Sequence, residues 1–289
     1  MPLRLSAIVV TKNGGRPFTQ LARHLVWQRK RYGIDVLVID SGSTDGTATY
    51  ARSSGFALHS IEPHEYGHGR TRNLGARLAD CDVICFLSQD VLPCTPDWPA
   101  VFARHFVDDR RLAGVCGRQV PRSASTAEMW FVSLNYPGTA HRFDPVPGGH
   151  VPAPGRVVFS NAFAAVRRST LLEIPFVDDI PSAEDHVWAK MVTARGWSIL
   201  YEPRAEALHA HTYTLSELYR RNYLNAQAGE PFGLHQKTTF RTGLAYLVRE
   251  ILYFIRHGHG HRLPWLVCYE FVRWWGFQAG RRSRWRPAA

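Results

Sequence analysis

VICFLSQD, residues 83–90, is a short apolar run that ends in a polar triplet with one carboxylate. Five consecutive apolar residues are typical of a strand that is buried on both faces of a sheet. Because an unpaired charge is costly to bury, Asp90 is expected where water, a metal or a ligand can reach it. In open α/β sheets, ligands bind just past the carboxyl ends of the strands. Asp90 is therefore predicted to lie at the centre of an active site.

Strands and helices alternate on both sides of this stretch. Apolar strands are predicted over Leu5–Val10, Asp35–Asp40 and Phe56–Ile61, with a further strand over 112–120. The segments at about 17–31, 70–80 and 97–107 between them have the spacing of helices. This alternation predicts an α/β fold with a parallel sheet. Asp40 also ends an apolar strand, so we expect it to share one crevice with Asp90.

The chain changes character twice after this region. Residues 121–155 are rich in proline and are predicted to form a long irregular loop. After residue 214 the alternation ends, and three helices are predicted at about 215–228, 240–256 and 263–280. We therefore divide the chain into a catalytic domain, residues 1–214, and a basic and aromatic helical extension, residues 215–289. The apolar faces of these helices predict either a membrane interface or an oligomer contact.

Composition limits the classes of partner and of compartment. The 289 residues carry a net charge of +11 and a pI near 9.8, which favours an anionic partner such as a nucleotide or an acidic membrane surface. The aromatic residues lie mainly in apolar segments, so we expect no nucleic-acid partner. Five cysteines, an odd number, favour reduced thiols. We see no signal peptide and no apolar run long enough to span a membrane, and we expect a cytoplasmic protein that lies peripherally on the inner face of the plasma membrane.

Six motifs in a fixed order resemble glycosyltransferase family 2, the inverting enzymes that use nucleotide sugars and have the GT-A fold. The resemblance extends from about residue 5 to residue 211. The GHGRTRN motif and the Gln before Asp90 are most similar to the bacterial rhamnosyltransferases of this family. The motifs are IVVTKN (8–13), VIDSGSTDGT (38–47), GHGRTRNLGA (67–76), FLSQD (86–90), AEDHVWAK (183–190) and YEPRAEALHAH (201–211).

The resemblance implies a donor site and a metal site. The family commonly has Asp-X-Asp where this chain has Ser88 and Asp90. Asp90 is expected to hold Mg²⁺ or Mn²⁺ together with a downstream histidine. His209 and His211 alternate along an extended segment, so we expect only one of them, His209 in preference, to point inward. The residues expected to bind the donor nucleotide are Thr11, Asp40, Asp45, Arg70, Asn73 and Gln89.

The AEDHVWAK motif is expected to carry the base of the reaction. By the resemblance, Asp185 removes the proton of the acceptor hydroxyl, and Glu184 and Trp188 help to bind the acceptor. The alternative is a structural role, because Ser182 has the character of a helix N-cap and acids are favoured in a first turn. Arg72 is either a second phosphate ligand or a solvated basic residue.

These expectations predict a metal-dependent transferase that moves L-rhamnose from dTDP-rhamnose onto a lipid-linked or polysaccharide acceptor. A UDP-hexose or UDP-N-acetylhexosamine donor is the alternative within the same class. The hypotheses from other classes are a basic nucleic-acid-binding protein and an inactive GT-A protein that acts as a membrane scaffold. The missing first aspartate of the metal motif motivates the last of these.

Overall fold

A mixed sheet forms the centre of the structure, a computed structural model that describes residues 3–121, 126–153, 155–209, 211–234 and 240–283. Its strands follow the order β3-β2-β1-β4-β8-β6-β9-β5, and β7 pairs with β9. The strands are β1 (Leu5–Thr11), β2 (Asp35–Asp40), β3 (Ala57–Ser60), β4 (Val83–Ser88), β5 (Leu92–Pro93), β6 (Leu112–Val120), β7 (His141–Phe143), β8 (Phe163–Arg167) and β9 (Ser198–Leu208).

The sheet changes direction at β8. Strands β1 to β4 are parallel to one another, as the sequence predicts, and β9 is parallel to β6. Strand β8 lies between β4 and β6 and is antiparallel to both. The predicted α/β fold is confirmed, while the sheet is mixed rather than parallel throughout. The inversion places the amino end of β8 beside the carboxyl end of β4, where Asp90 follows.

Helices cover both faces of the sheet. Helices α1, α2 and α4 pack on one face, and α3, α6 and α7 pack on the other. Alternation within β1 explains the two layers, since Ala7 and Val9 pack on the first face and Ile8 on the second, all without solvent exposure. The helices are α1 (Gly15–Tyr32), α2 (Thr47–Ser53), α3 (His68–Leu78), α4 (Trp98–Asp108), α5 (Thr126–Asn135), α6 (Arg168–Glu173) and α7 (Glu184–Ala194).

The proline-rich region is more regular than predicted. Helix α5 and strand β7 both lie inside the segment for which we expected an irregular loop. The prediction failed because the prolines of this segment flank the helix and leave residues 126–135 free of proline and glycine. Residues 122–125 and 154 of this segment lie outside the described residues.

The described residues of the C-terminal extension form three α-helices, as predicted: α8 (Leu215–Gly229), α9 (Phe240–Arg256) and α10 (Leu263–Arg282). Helix α10 packs closely on α8, because Gly276 and Gly280 have no side chain to separate them from the α8 backbone. Phe254 of helix α9 and Ala127 of helix α5 belong to one buried hydrophobic cluster, which also contains Leu218 of α8 and Leu266 of α10. No helix among the described residues is both long and apolar enough to cross a bilayer.

Candidate active site and metal centre

The carboxyl ends of β1, β2 and β4 meet at one edge of the sheet. In the strand register, Thr11 lies opposite Asp40, and Val10 lies opposite Ser88. The loops that follow these strands therefore start side by side. This is the crevice that the sequence predicts for ligand binding.

The first two loops are tied together by short hydrogen bonds. The buried Asp40 carboxylate accepts bonds from the Ser43 backbone N–H at 2.9 Å and from the Ser43 hydroxyl at 2.5 Å. The Ser43 hydroxyl oxygen in turn accepts the Asn13 backbone N–H at 2.8 Å. Asp45 accepts the N–H groups of Gly15 and Thr47, so it fixes the starts of α1 and α2. Both aspartates shape the predicted nucleotide pocket from within.

Gln89 and Asp90 point in different directions after β4. The Gln89 side-chain oxygen accepts hydrogen bonds from the Thr11 hydroxyl at 2.8 Å and from the Lys12 backbone N–H at 3.0 Å. Gln89 thus joins β4 to the loop after β1, on the side of the predicted nucleotide pocket. Asp90 faces the opposite way, toward the end of β9.

Two histidines face the Asp90 carboxylate. Nε2 of His209 lies 3.6 Å from Oδ1 of Asp90, and Nδ1 of His211 lies 3.7 Å from Oδ2. One ligand atom from each of the three residues lies within 4.8 Å of the others, the only such metal-ligand group among the described residues. The expectation that only one histidine points inward is wrong, because β9 ends at Leu208 and strand alternation ends with it.

The electrostatics of this triad suit a cation. Burial raises the pKa of Asp90, but the hydrogen bond from His209 and the positive charges of both histidines outweigh it and lower the pKa to about 2. Burial, together with the charges of His209 and Arg221, lowers the pKa of His211 to about 4. Asp90 is therefore ionised and His211 neutral near neutral pH, which are the forms that bind a metal.

The donor set fits a divalent transition metal. Two imidazole nitrogens and one carboxylate favour Mn²⁺ over Mg²⁺, which prefers oxygen ligands. His209 is also oriented from behind, since its Nδ1 lies 2.8 Å from the side-chain oxygen of Gln119. Such outer contacts are typical of metal-binding histidines. The two histidines thus offer ligand atoms in a chain where Ser88 stands in place of the expected second carboxylate.

Asp185 is the second residue of helix α7 and lies at the amino end of β8. The backbone N–H of Asn161 donates to its Oδ2 at 3.1 Å, and the N–H of His186 donates to Oδ1 at 2.8 Å. The helix N-cap is Ala183, in the left-handed region at φ 61°, and not Ser182 as the sequence predicts. The Ser182 hydroxyl instead contacts Asn225 of α8. The Asp185 carboxylate keeps 17% exposure and stays accessible to a ligand.

Glu184 is paired inside the protein. Its Oε1 accepts a bond from Nη1 of Arg72 at 3.0 Å and another from the Asn161 side-chain amide at 3.1 Å. The side chains of Arg72 and Glu184 are only 11% and 7% exposed. Arg72 is therefore neither a solvated residue nor a free phosphate ligand, and Glu184 has a structural partner where we predicted an acceptor contact.

Three other predicted site residues are engaged elsewhere. Trp188 is fully buried and donates to the Ile174 carbonyl, so the prediction that it lines an acceptor pocket is wrong. Asn73 is buried. Its side-chain N–H donates to the Phe176 carbonyl, and its side-chain oxygen accepts the Phe176 backbone N–H. Arg70 pairs with Asp179 at the surface. Nucleotide binding by Arg70 and Asn73 stays a prediction, and it requires both side chains to change partners.

Comparison with known proteins decides the family. A model described as glycosyl transferase family 2 matches residues 6–174, more than half of the chain. The chain belongs to glycosyltransferase family 2. The motif-based assignment is thereby confirmed, and the protein is a glycosyltransferase.

Relatives within glycosyltransferase family 2 include two from Salmonella. The O-antigen chain rhamnosyltransferase RfbN of Salmonella typhimurium is 31% identical over 228 residues, which cover 76% of this chain and 71% of the relative. The O-antigen chain rhamnosyltransferase WbaN of Salmonella anatum is 30% identical over 219 residues, 75% of this chain and 69% of the relative.

Solved structures confirm the GT-A fold of this family 2 chain. The mannosyltransferase PcManGT from Pyrobaculum calidifontis, in complex with GDP-Man and Mn²⁺, aligns with a TM-score of 0.62 at 19% identity, over 96% of this chain and 74% of that one. Glucosyl-3-phosphoglycerate synthase from Mycobacterium tuberculosis, in complex with Mn²⁺ and UDP-glucose, aligns with a TM-score of 0.55 at 16% identity over 81% of each.

The sequence did not point to two residues that lie at or beside the candidate site. Asn161 donates hydrogen bonds to both acids of the AEDH motif. The signal for it in the sequence was weak, since it is only a polar residue just before the apolar strand β8. Arg221 lies near His211, although it belongs to a helix that we assigned to the extension. The alternation of elements could not reveal a contact between that helix and the catalytic domain.

Proposed function

We propose that this glycosyltransferase moves L-rhamnose from dTDP-rhamnose to a lipid-linked or polysaccharide acceptor, with inversion at the anomeric carbon. One observation carries the reaction type: the accessible Asp185 carboxylate is fixed by backbone N–H groups at the same edge of the sheet as the Asp90 triad. The choice of rhamnose is supported by the two Salmonella relatives, which are O-antigen chain rhamnosyltransferases.

In the proposed reaction, the oxygen of an acceptor hydroxyl attacks the anomeric carbon of the donor sugar. The Asp185 carboxylate takes the hydroxyl proton as the new carbon–oxygen bond forms. The bond from the anomeric carbon to the phosphate oxygen breaks, and its electron pair leaves with the nucleoside diphosphate. A divalent cation held by Asp90, His209 and His211 would neutralise the charge that develops on this leaving group.

The residues around Asp185 hold its carboxylate in place. The two N–H donors hold its carboxylate oxygens, which leaves the remaining lone pairs directed to an acceptor. The ion pair between Glu184 and Arg72 fixes the first turn of α7 from the protein side. The carboxylate is thus positioned before an acceptor arrives, which reduces the reorganisation that the reaction requires.

Asp185→Asn tests the base directly. We expect transfer to fall by about 10²- to 10⁴-fold, the usual contribution of a general base, while dTDP binding stays nearly unchanged. Asp80→Asn is the matched control, because Asp80 is an exposed acid before the amino end of β4, at the opposite end of that strand from Asp90, and its loss should leave turnover intact. Normal turnover in Asp185→Asn would exclude Asp185 as the base.

The nucleotide and the metal can be identified together by thermal denaturation. A ligand that binds only the folded state stabilises the protein against unfolding. At ligand concentrations well above Kd, this stabilisation grows with the logarithm of the ratio of ligand concentration to Kd. We expect dTDP with Mn²⁺ to stabilise the protein more than UDP or GDP with Mn²⁺, and more than dTDP with Mg²⁺. A larger effect of UDP would favour the alternative, a UDP-hexose or UDP-N-acetylhexosamine donor.

We also propose that helices α9 and α10 hold the enzyme on an anionic membrane surface. Their outer faces carry apolar side chains that are each 44–61% exposed and recur at helical spacing. Exposed arginines lie beside them, and this combination is typical of a helix in the membrane interface. The apolar residues are Leu244, Val248, Leu252, Ile255, Val267, Phe271, Trp274 and Trp275, and the arginines are Arg249, Arg256, Arg262 and Arg282.

Vesicle sedimentation tests this surface. We expect the protein to bind vesicles that contain phosphatidylglycerol and to bind pure phosphatidylcholine weakly. Replacing Phe271 and Trp274 together by glutamate should reduce vesicle binding at least tenfold. Two aromatic side chains that become buried in the lipid interface contribute several kcal/mol to the free energy of binding. Leu78→Glu with Val107→Glu, exposed apolar residues outside α9 and α10, is the matched control. A stable dimer that the first pair of substitutions dissociates, without lipid binding, would instead indicate an oligomer contact.

A further inference from the structure

Arg221 of helix α8 extends from the helical extension to the edge of the metal site. Its guanidinium lies over the Tyr213 ring, with Cζ 5.0 Å from the ring centroid, and it contacts the Tyr213 hydroxyl. The Tyr213 ring lies 5.3 Å from the His211 ring, centroid to centroid. His211 in turn faces Asp90. A continuous series of contacts therefore joins Arg221 to the metal triad.

The start of α8 fixes this arrangement. Thr214 and Glu217 form a reciprocal capping box directly after Tyr213, with the Thr214 N–H donating to Glu217 at 2.8 Å. Arg221 follows two turns later along the same helix. Because the cap defines where the helix begins, the distance between Arg221 and His211 is defined by local structure. It does not depend on a long flexible loop.

Arg221 is exposed, and the described part of the chain places no carboxylate within ion-pair distance of it. Its guanidinium nevertheless lies beside the site, since the Tyr213 ring on which it packs also contacts the His211 ring. Arg221 is thus a cation at the edge of the metal triad.

The charges of the site call for an anion at this position. A divalent cation bound at Asp90 would keep one positive charge after the carboxylate is counted, because histidines that ligate a metal are neutral. Arg221 adds a second positive charge at the edge of the triad. A diphosphate carries the complementary charge, and it gains one further negative charge when the bond to the sugar breaks. An interaction that strengthens with this charge favours the transition state over the ground state.

We propose that Arg221 binds the diphosphate of the sugar-nucleotide donor and stabilises it as the leaving group. This inference rests on the proposed function of the site. As the acceptor oxygen bonds to the anomeric carbon, the phosphate oxygen takes the electron pair of the broken bond, and the Arg221 guanidinium donates hydrogen bonds to the phosphate oxygens. Tyr213 positions the guanidinium by its ring and hydroxyl. The helical extension is then part of the active site.

The test compares the affinity of dTDP with that of dTMP, each with Mn²⁺, by isothermal titration. In Arg221→Met we expect dTDP to bind roughly tenfold to a hundredfold more weakly, the usual range for a lost hydrogen bond to a charged group. The affinity for dTMP should change much less, and this comparison shows that the nucleoside pocket remains folded. Arg221→Lys should keep part of the dTDP affinity, because it keeps the charge without the planar fork.

Arg220→Met is the matched control, since Arg220 is an exposed arginine of the same helix with no contact to Tyr213 among the described residues. It should leave both affinities unchanged. Equal dTDP affinity in Arg221→Met and Arg220→Met would overturn the inference while leaving the proposed function intact. An equal loss for dTDP and dTMP would also overturn it, because it would indicate damage to the pocket. A wild-type protein that binds neither nucleotide would overturn the proposed function itself.

Discussion

Replacing Arg72 with methionine should destabilise the protein by about 3 kcal/mol, because it leaves the Glu184 carboxylate buried without its cation. Both side chains of the pair are about nine-tenths buried, with a nitrogen–oxygen distance of 3.0 Å. Breaking such a pair usually costs about 3–5 kcal/mol. We expect the lower end of this range, since the Asn161 amide still donates to Glu184. For a chain of this size, the expected fall in Tm is about 6–12 °C.

The assay is urea and thermal unfolding at pH 7 of a double-mutant cycle. Glu184→Gln in the Arg72→Met background removes the unpaired charge and should recover about 2 kcal/mol, whereas Glu184→Gln alone should destabilise the protein. The coupling energy of the cycle should therefore be about 2 kcal/mol or more, as expected of a direct contact. Arg70→Met is the control, because Arg70 is on the same helix and pairs with Asp179 at the surface, where exposed pairs contribute about 0–1 kcal/mol. Equal effects of Arg70→Met and Arg72→Met, or additive effects in the cycle, would refute the reasoning.

Two further predictions concern the framework around the site. Glu202 is buried, and although burial alone raises its pKa, hydrogen bonds from Arg204 and His105 outweigh it and lower the pKa from 4.5 to about 2. Glu202→Gln should therefore lose roughly 3 kcal/mol of unfolding free energy at pH 7, and this loss should shrink as the pH falls from 4.5 toward 2. Gly280→Ala should lose about 1–3 kcal/mol in thermal unfolding, because the added Cβ would lie 2.1 Å from the Tyr223 carbonyl oxygen and push α10 off α8.

Each of these predictions has an outcome that contradicts it. For Glu202→Gln, a difference from wild type that is constant between pH 7 and pH 3 would show that the carboxylate does not titrate as described. For Gly280→Ala, the control is Gly243→Ala on α9, where nothing lies within 4 Å of the added Cβ. The control should be neutral or gain up to about 1 kcal/mol from helix propensity. Equal Tm values for the two variants would indicate that α10 does not pack on α8 through Gly280.

The strands of the sheet could be predicted from sequence because each is an apolar run with a clear boundary. The run 83–87 and the strand 35–40 both end at polar residues, and the structure places these residues at the edge of the sheet where β1, β2 and β4 end. The direction of β8 could not be predicted, because an apolar run carries no information about its neighbour. Helix α5 was missed for a related reason, since the prolines around it masked its own favourable composition.

The individual residues of the site were harder to predict than their motifs. The motifs that contain Asp90, Asp185 and the two histidines were found, but the side-chain partners were not. Trp188 is on the helix that carries Asp185, yet sequence spacing alone could not show that its face points into the core. Both histidines face Asp90 because the chain leaves the strand geometry after Leu208, and period-two reasoning does not apply beyond that point.

Anomalous diffraction at the manganese edge, from crystals grown with dTDP and Mn²⁺, tests the metal and donor site most directly. We predict one peak within bonding distance of Asp90, His209 and His211, with the dTDP phosphates completing its coordination and Arg221 in contact with them. Manganese bound elsewhere, or dTDP bound away from the edge where β1, β2 and β4 end, would contradict the account.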